Sequence, residues 1–183
     1  MKRPVATVLV VAMLVLAGCS SGMTGASGDE TGTVNFYVSD QPSAIDDFDH
    51  LNVTLSQVTF VRADGNQTQR AADATLDLTQ LKGTNSSLVD EYGVASGDYT
   101  KVFLNVSEID GTLTSGDSAD VKLPSGKLQL NQNFTVESGS SIDFVYDITV
   151  VKRGNSGSYN IKPVAGESGT DVDIEEVGEA DDR

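Results

Sequence analysis

Apolar and polar residues alternate with a period of two in several short runs, and turn-forming residues separate these runs. Val34, Phe36 and Val38 belong to one such run, and residues 142–151 form a longer one. Because successive side chains of a β-strand point to opposite faces, this period predicts half-buried strands. No run shows the period of a long amphipathic helix. The pattern therefore predicts an all-β fold.

Eight or nine strands are predicted in a domain covering residues 33–165, with at most one short helix. Regular spacing of short strands is typical of a sandwich or barrel. We predict an antiparallel β-sandwich of the transthyretin or immunoglobulin-like Greek-key type. Residues 99–109 carry bulky side chains on both faces and should form a central strand, with Tyr99 on the face opposite Val102.

Local signals refine this prediction. A change of phase before Val58 predicts a bulge near Gln57. Asp110 and Gly111 predict a turn. Residues 86–91 could form one helical turn with a serine cap.

The N-terminus carries the features of an export signal. Lys2 and Arg3 precede an apolar run at residues 5–17, which as a helix would span about 20 Å, too short to cross a bilayer. The run ends at Leu-Ala-Gly-Cys, residues 16–19, which resembles the lipobox of bacterial and archaeal lipoproteins. That resemblance implies a signal peptide at residues 1–18 and lipidation of Cys19, the only cysteine. The protein would then be anchored to the outer face of the cytoplasmic membrane. The alternative is an ordinary secretory signal.

Two segments flank the predicted domain. Residues 19–32 are rich in Gly, Ser and Thr and predict a flexible linker. Residues 166–183 are strongly acidic and predict a solvated, disordered tail, with a terminal edge strand around Val172 and Ile174 as the alternative.

The chain carries 27 acidic and 12 basic residues, a net charge of −15. This charge argues against nucleic acid as a partner, since nucleic acid requires a basic surface. It is typical of a protein adapted to high salt, where repulsion between like charges is screened. The alternative is cation binding, which we favour less because the acids are spread along the chain.

Calcium is the metal that the sequence suggests most. Asp46, Asp47 and Asp49 lie in a predicted loop, and carboxylate oxygens suit calcium. The spacing of an EF-hand loop is missing, so a solvated acidic loop is the preferred interpretation, and we predict no cofactor.

Catalytic signals are weak. His50 is the only histidine, so a hydrolytic triad would have to use it. Ser156 lies in a Gly-Asn-Ser-Gly segment that hairpin chemistry explains. Asp143 and Asp147 lie four residues apart on one strand, about 13 Å, too far for a glycosidase pair. We therefore predict that the protein is not an enzyme.

Five Asn-X-Ser/Thr sequons make the protein a candidate glycoprotein. Asn66 and Asn85 lie in predicted loops and are the preferred acceptors. The others are Asn52, Asn105 and Asn133.

Four motifs occur in order along the chain: GTVNFYVSDQP at residues 32–42, GDYTKVFL at 97–104, LPSG at 123–126 and YNIKPV at 159–164. Together they resemble domain-of-unknown-function family 4382, found in lipoproteins and exported proteins of bacteria and haloarchaea. The resemblance implies a β-sandwich outside the cell and carries over no catalytic residue.

The sequence thus predicts a lipid-anchored extracellular module with a binding or structural role. Its partner could be a surface protein, a peptide or a glycan, in addition to the membrane reached through Cys19. A calcium-dependent adhesion module is the first alternative, and an extracellular hydrolase is the second.

Overall fold

Ten β-strands and three single turns of 3-10 helix make up the part of the chain that the computed structural model describes, residues 30–154 and 156–177. The strands are β1 (Thr31–Asp40), β2 (Phe48–Arg62), β3 (Gln67–Asp77), β4 (Asn85–Ala95), β5 (Gly97–Leu113), β6 (Asp120–Lys122), β7 (Lys127–Val136), β8 (Ser141–Lys152), β9 (Ser158–Pro163) and β10 (Glu175–Glu176). The 3-10 turns are Ala44–Asp47, Leu78–Gln80 and Ala165–Glu167. No helix within the described ranges is long and apolar enough to cross a membrane. The all-β prediction is confirmed.

The strands form two sheets. Sheet A has the order β10-β4-β1-β8-β9-β6, and sheet B has the order β3-β2-β5-β7. Sheet B is antiparallel throughout, whereas sheet A contains three parallel pairs, β1 with β8, β6 with β9 and β10 with β4. The predicted sandwich is confirmed, and β5 lies inside sheet B as expected of a central strand.

Aromatic side chains from both sheets join the two layers. Phe36 of β1 is fully buried and contacts Phe60 of β2 edge to face, with ring centroids 6.0 Å apart. It also stacks on Phe144 of β8 at 5.9 Å. Phe134 of β7 reaches Phe144 from the opposite sheet at 4.7 Å. Because such rings bury large apolar areas, this cluster accounts for much of the sandwich core.

Three local predictions were wrong. The segment expected to be helical at residues 86–91 lies inside β4, where pairing with β1 outweighs the serine cap signal. Gly111 lies inside β5 rather than in a turn; a Cβ there would come within 3.0 Å of the Phe48 ring, so the position needs glycine for close packing. Tyr99 faces the core, because a register shift between Tyr99 and Lys101 changes the phase of the strand. The bulge near Gln57 is confirmed by a register shift between Leu55 and Gln57.

The two ends of the sandwich carry different segments. β1 begins at Thr31 and runs parallel to β8, so the ends of both strands, Asp40 and Lys152, lie at the opposite end of the molecule. We call this the distal end. It also carries the turn Ala44–Asp47 and the start of β2.

The C-terminal segment pairs with sheet A at two points. Gly169 pairs with Val145 of β8, and Glu175 pairs with Asn85 of β4, on the far side of β1. These points are about four strand spacings apart, roughly 19 Å, which six residues reach only when nearly extended. As far as Val177, the segment is therefore paired with strands of sheet A at both ends and extended between them, whereas the sequence predicts a disordered tail. Its strand pairing is at Glu175–Glu176 rather than at Val172 and Ile174, and residues 178–183 lie outside the described range.

Candidate functional site: a carboxylate-free face on sheet B

Twelve side chains form three rows across the outer surface of sheet B. The strand register places each row directly across β3, β2, β5 and β7. The rows are Gln67, Val61, Lys101 and Asn131; then Gln69, Thr59, Phe103 and Gln129; then Ala71, Gln57, Asn105 and Lys127. Six of the twelve carry amides, two are lysines, and none is Asp or Glu. We call this surface the amide face.

Alternation along each strand fixes the outward direction of these residues. Val58 and Phe60 of β2 and Val102 and Leu104 of β5 point into the core, so the residues between them point outward. The bulge before Gln57 brings that side chain back to the outer face. The face spans four strands, about 14 Å between the outer two, and about as far along each strand.

Side-chain amides on the face bond to one another. Asn105 donates through Nδ2 to Gln57 Oε1 at 3.0 Å, and Gln57 donates through Nε2 to Gln69 Oε1 at 3.4 Å. Gln129 Nε2 donates to Asn131 Oδ1 at 3.3 Å. Each amide carries two donors and one acceptor oxygen with two lone pairs, so these bonds leave hydrogen-bonding capacity directed at solvent.

An aromatic ring lies in the middle row. Phe103 is half-buried, although it points away from the core. The ammonium group of Lys127 lies 4.2 Å from the centroid of its ring, which is a cation–π contact. Lys101 is exposed on the next row. The face therefore combines an apolar ring, two cations and a set of amides.

The same surface of sheet B changes character toward the distal end. Thr54 and Glu108 pair there, as do Asn52 and Asp110, and Asp77 follows on β3. Three carboxylates thus occur within two rows, whereas the three rows of the amide face hold none. The absence of acid is confined to the amide face and is not a property of the whole sheet.

A family model matches residues 31–163, and its description is Domain of unknown function (DUF4382). The chain belongs to the DUF4382 family. The matched range contains the whole amide face and ends just before the C-terminal segment. No curated protein is detectably similar. An NMR structure of a protein from Eubacterium rectale aligns with 77% of this chain and 95% of its own, at 17% identity and a TM-score of 0.24.

The acids suggested as calcium ligands lie at the distal end of the DUF4382 domain, where cations and donors engage them. Asp46 Oδ1 lies 3.0 Å from Lys82 Nζ. Asp47 Oδ2 lies 2.7 Å from Lys152 Nζ and accepts from the Tyr159 hydroxyl at 2.9 Å. The hydrogen bond from Lys152 holds the pKa of Asp47 below its usual range. No group of three or more His, Cys, Asp or Glu residues with metal-binding geometry occurs in the described part of the chain.

Asp49 and His50 lie beside each other at the start of β2. His50 Nδ1 is 2.8 Å from Asp77 Oδ2, and its Nε2 is 3.7 Å from Asp49. The hydrogen bond with Asp77 raises the pKa of His50. Ser156 bonds instead to the carbonyl of Arg153 at 2.7 Å and to Ser158, so these contacts do not assemble a Ser-His pair.

Two carboxyl groups of the DUF4382 domain are buried. Asp40, at the end of β1, has no exposed surface, and neither of its oxygens has a hydrogen-bond partner in the described structure. Burial, reinforced by the charge of Asp147, raises the pKa of Asp40 to about 8. Asp147 accepts from Ser39 Oγ at 2.6 Å, and burial raises its pKa to about 6. No sequence pattern indicated the burial of Asp40, because an acid at the end of a strand normally faces solvent.

Two depressions of about 670 and 680 Å³ lie away from the amide face. The first surrounds Lys122, Arg153 and Ser156, and the second separates β3 from β4 near Val177. Neither is lined by histidine or contains an amide-face residue.

The sequons differ in exposure. Asn66 and Asn133 are exposed, whereas Asn52, Asn85 and Asn105 are half-buried. Asn85 begins β4 instead of lying in a loop, and its Nδ2 donates to the Gln80 carbonyl at 3.1 Å. Cys19, the signal peptide and nearly all of the predicted linker lie outside the described residues.

Proposed function

We propose that this protein is a non-catalytic binding module of the cell envelope, held at the outer face of the membrane by lipid on Cys19. The amide face is its binding surface. The observation that carries this proposal is the absence of carboxylates from twelve outward-facing positions, ten of them at least partly exposed, in a chain with a net charge of −15. A purely solubilising surface would carry acids there, as it does toward the distal end.

The chemistry of the face favours binding over catalysis. Amides, lysines and a phenyl ring donate, accept and stack, but they supply no general acid or base near neutral pH. The histidine and the serine that hydrolysis would require lie elsewhere and bond to other partners. The proposal includes export of the protein and a haloarchaeal origin, and the support for both is the sequence resemblance.

Inserting carboxylates tests the binding surface. Gln69→Glu and Gln129→Glu change little in volume and place a negative charge on exposed positions of the face. Gln80→Glu, exposed at the distal end, is the matched control. All three variants are made in a Cys19→Ser background, so that no lipid anchor contributes to sedimentation. We expect the two face variants to lose sedimentation with isolated cell envelopes at molar salt, while the control retains it. Equal binding by all three variants would contradict the assignment of the face.

Anchoring is tested separately. Cys19→Ser should release the protein from the membrane fraction of the producing cells and remove the mass of the lipid from the mature chain. Continued membrane association of the Cys19→Ser variant at unchanged mass would show that the anchor is wrong, without bearing on the amide face.

A further inference from the structure

We infer that the amide face binds an acidic polysaccharide, that is, a sugar chain carrying carboxylate or sulfate groups. This inference rests on the proposed function and specifies the ligand of the same surface. The argument uses three properties of the face: the exclusion of carboxylates, the position of its two lysines, and the ring between them.

The absence of carboxylates from the amide face favours an anionic ligand over a neutral one. Carboxylate oxygens accept hydrogen bonds from sugar hydroxyls, so a face for neutral sugars gains from Asp and Glu. A ligand that itself carries negative groups is repelled by them at short range. On β5 the two rows beyond the amide face carry Glu108 and Asp110 at outward positions, whereas the three rows of the face carry Lys101, Phe103 and Asn105 there. This distribution fits an anionic ligand.

The lysines supply the complementary charge. Lys101 and Lys127 form no ion pair with any described residue, in contrast to Lys82 and Lys152, whose ammonium groups are matched by carboxylates. They lie on adjacent strands, one in the first row and one in the third, with Cα atoms about 14 Å apart. One anionic group of an extended chain can therefore be met by Lys101 in the first row, and another by the Lys127 ammonium group beside the Phe103 ring in the middle row.

Phe103 lies between these cations. Its ring is covered on one side by Lys127, and its middle row also holds Gln69 and Gln129. A sugar presents C–H groups that pack against an aromatic ring, while its hydroxyls bond to amides at the edge. Lys127 can keep its contact with the ring and still donate to an anion, since its ammonium group has three donors.

Molar salt sets the condition for the test. Net charges of one sign on protein and polymer repel each other at low ionic strength, but the Debye length falls to about 3 Å at 1 M salt. Hydrogen bonds and ring contacts at the face persist under these conditions. Binding is therefore measured in molar potassium chloride, where long-range repulsion does not mask contact at the surface.

The experiment uses the full mature chain and three polymers: polygalacturonate, dextran sulfate and uncharged dextran. The variants are Lys101→Gln with Lys127→Gln, and Phe103→Ala. Lys162→Gln is the control, because Lys162 is an exposed lysine of β9 in sheet A without an ion pair in the described structure. Circular dichroism and melting temperature check that each variant is folded.

We expect wild-type protein to bind polygalacturonate or dextran sulfate and not to bind uncharged dextran. The double lysine variant should weaken binding about tenfold or more, and Phe103→Ala about fivefold, with Lys162→Gln within about twofold of wild type. The preferred anionic polymer distinguishes carboxylate from sulfate recognition.

Four results would overturn the inference. Uncharged dextran could bind as tightly as the anionic polymers, or Lys162→Gln could weaken binding as much as the double lysine variant does. The other two results are that neither anionic polymer binds, or that the protein forms a dimer in which the amide face is buried. If the face variants still lose envelope binding while neither anionic polymer binds, the ligand class is wrong and the proposed binding surface stands. If the face variants bind envelopes as well as the wild-type protein does, the proposed function itself is wrong.

Discussion

Replacing Asp40 by asparagine should stabilise the protein at neutral pH and leave it unchanged in acid. The Asp40 carboxyl is fully buried without a hydrogen-bond partner in the described structure, and its pKa is raised from 3.8 to about 8. The folded state therefore keeps a proton that the unfolded state releases. For an acid with a raised pKa, the stabilising contribution of the protonated carboxyl is fully present below the unfolded pKa, about pH 4. This contribution is lost as the pH rises toward the folded pKa of about 8.

The magnitude follows from the pKa values. A shift of about 4 units at 1.36 kcal/mol per unit corresponds to a loss on the order of 5 kcal/mol at pH 8 and about 4 kcal/mol at pH 7. For a domain of this size each kcal/mol shifts the melting temperature by roughly 2–4 °C. Asp40→Asn should therefore melt roughly 8–16 °C above wild type at pH 7. The backbone bonds of Asp40 to Leu81 and Gly83 do not involve the side chain, so they remain in the variant.

Thermal melts of both proteins from pH 4 to 8.5 in molar salt measure this difference. Desolvation is not screened by salt, so the effect persists there. Asp147→Asn is the second variant: because the pKa of Asp147 is raised to about 6, its effect on stability should develop between about pH 4 and 6 and stay constant above that range. Removing the charge of Asp147 should also lower the pKa of Asp40. A melting temperature of Asp40→Asn at or below that of wild type at pH 8 would refute the reasoning, since the carboxylate would then be charged and compensated.

Three further predictions address charge, metal and core. Lowering potassium chloride from molar to 0.1 M should lower the melting temperature, because 27 acids against 12 basic residues repel once screening weakens; a flat curve would contradict this. Calcium at fixed ionic strength should leave the melting temperature unchanged, because Lys82 and Lys152 already neutralise Asp46 and Asp47; a rise of several degrees would show a calcium site. Phe36→Ala should cost about 3–5 kcal/mol in urea unfolding, and Phe103→Ala far less; equal losses would show that the core assignment is wrong.

The alternation of apolar and polar residues predicted the strands, because the burial of one face of a strand is visible in the spacing of residues that are close in sequence. The long strands β5 and β8 and the bulge before Gln57 followed from the spacing of apolar residues. Local turn signals failed at Gly111, where contact with Phe48 decides the conformation. Strand order could not be read in this way, since β1 pairs with segments far along the chain.

The amide face escaped prediction for the same physical reason. Its residues come from four strands, and each strand contributes only three outward positions. Gln69, Phe103 and Gln129 become neighbours only when the register is known. A signal was present in the sequence, because the polar positions of these strands carry amides and lysines in a chain where acids are common. Asp40 was missed because its burial depends on segments that surround the end of β1.

The interior place of β1 in sheet A delays folding during synthesis. Its neighbours are β4 and β8, so Val38 meets Ser87 on one side and Tyr146 on the other. An elongating chain therefore holds β1 without its second partner until about residue 152 has left the ribosome. Contacts so distant in sequence slow folding. A chain of this topology cannot close its sandwich until most of it has been translated, which is compatible with the export that the proposed function includes.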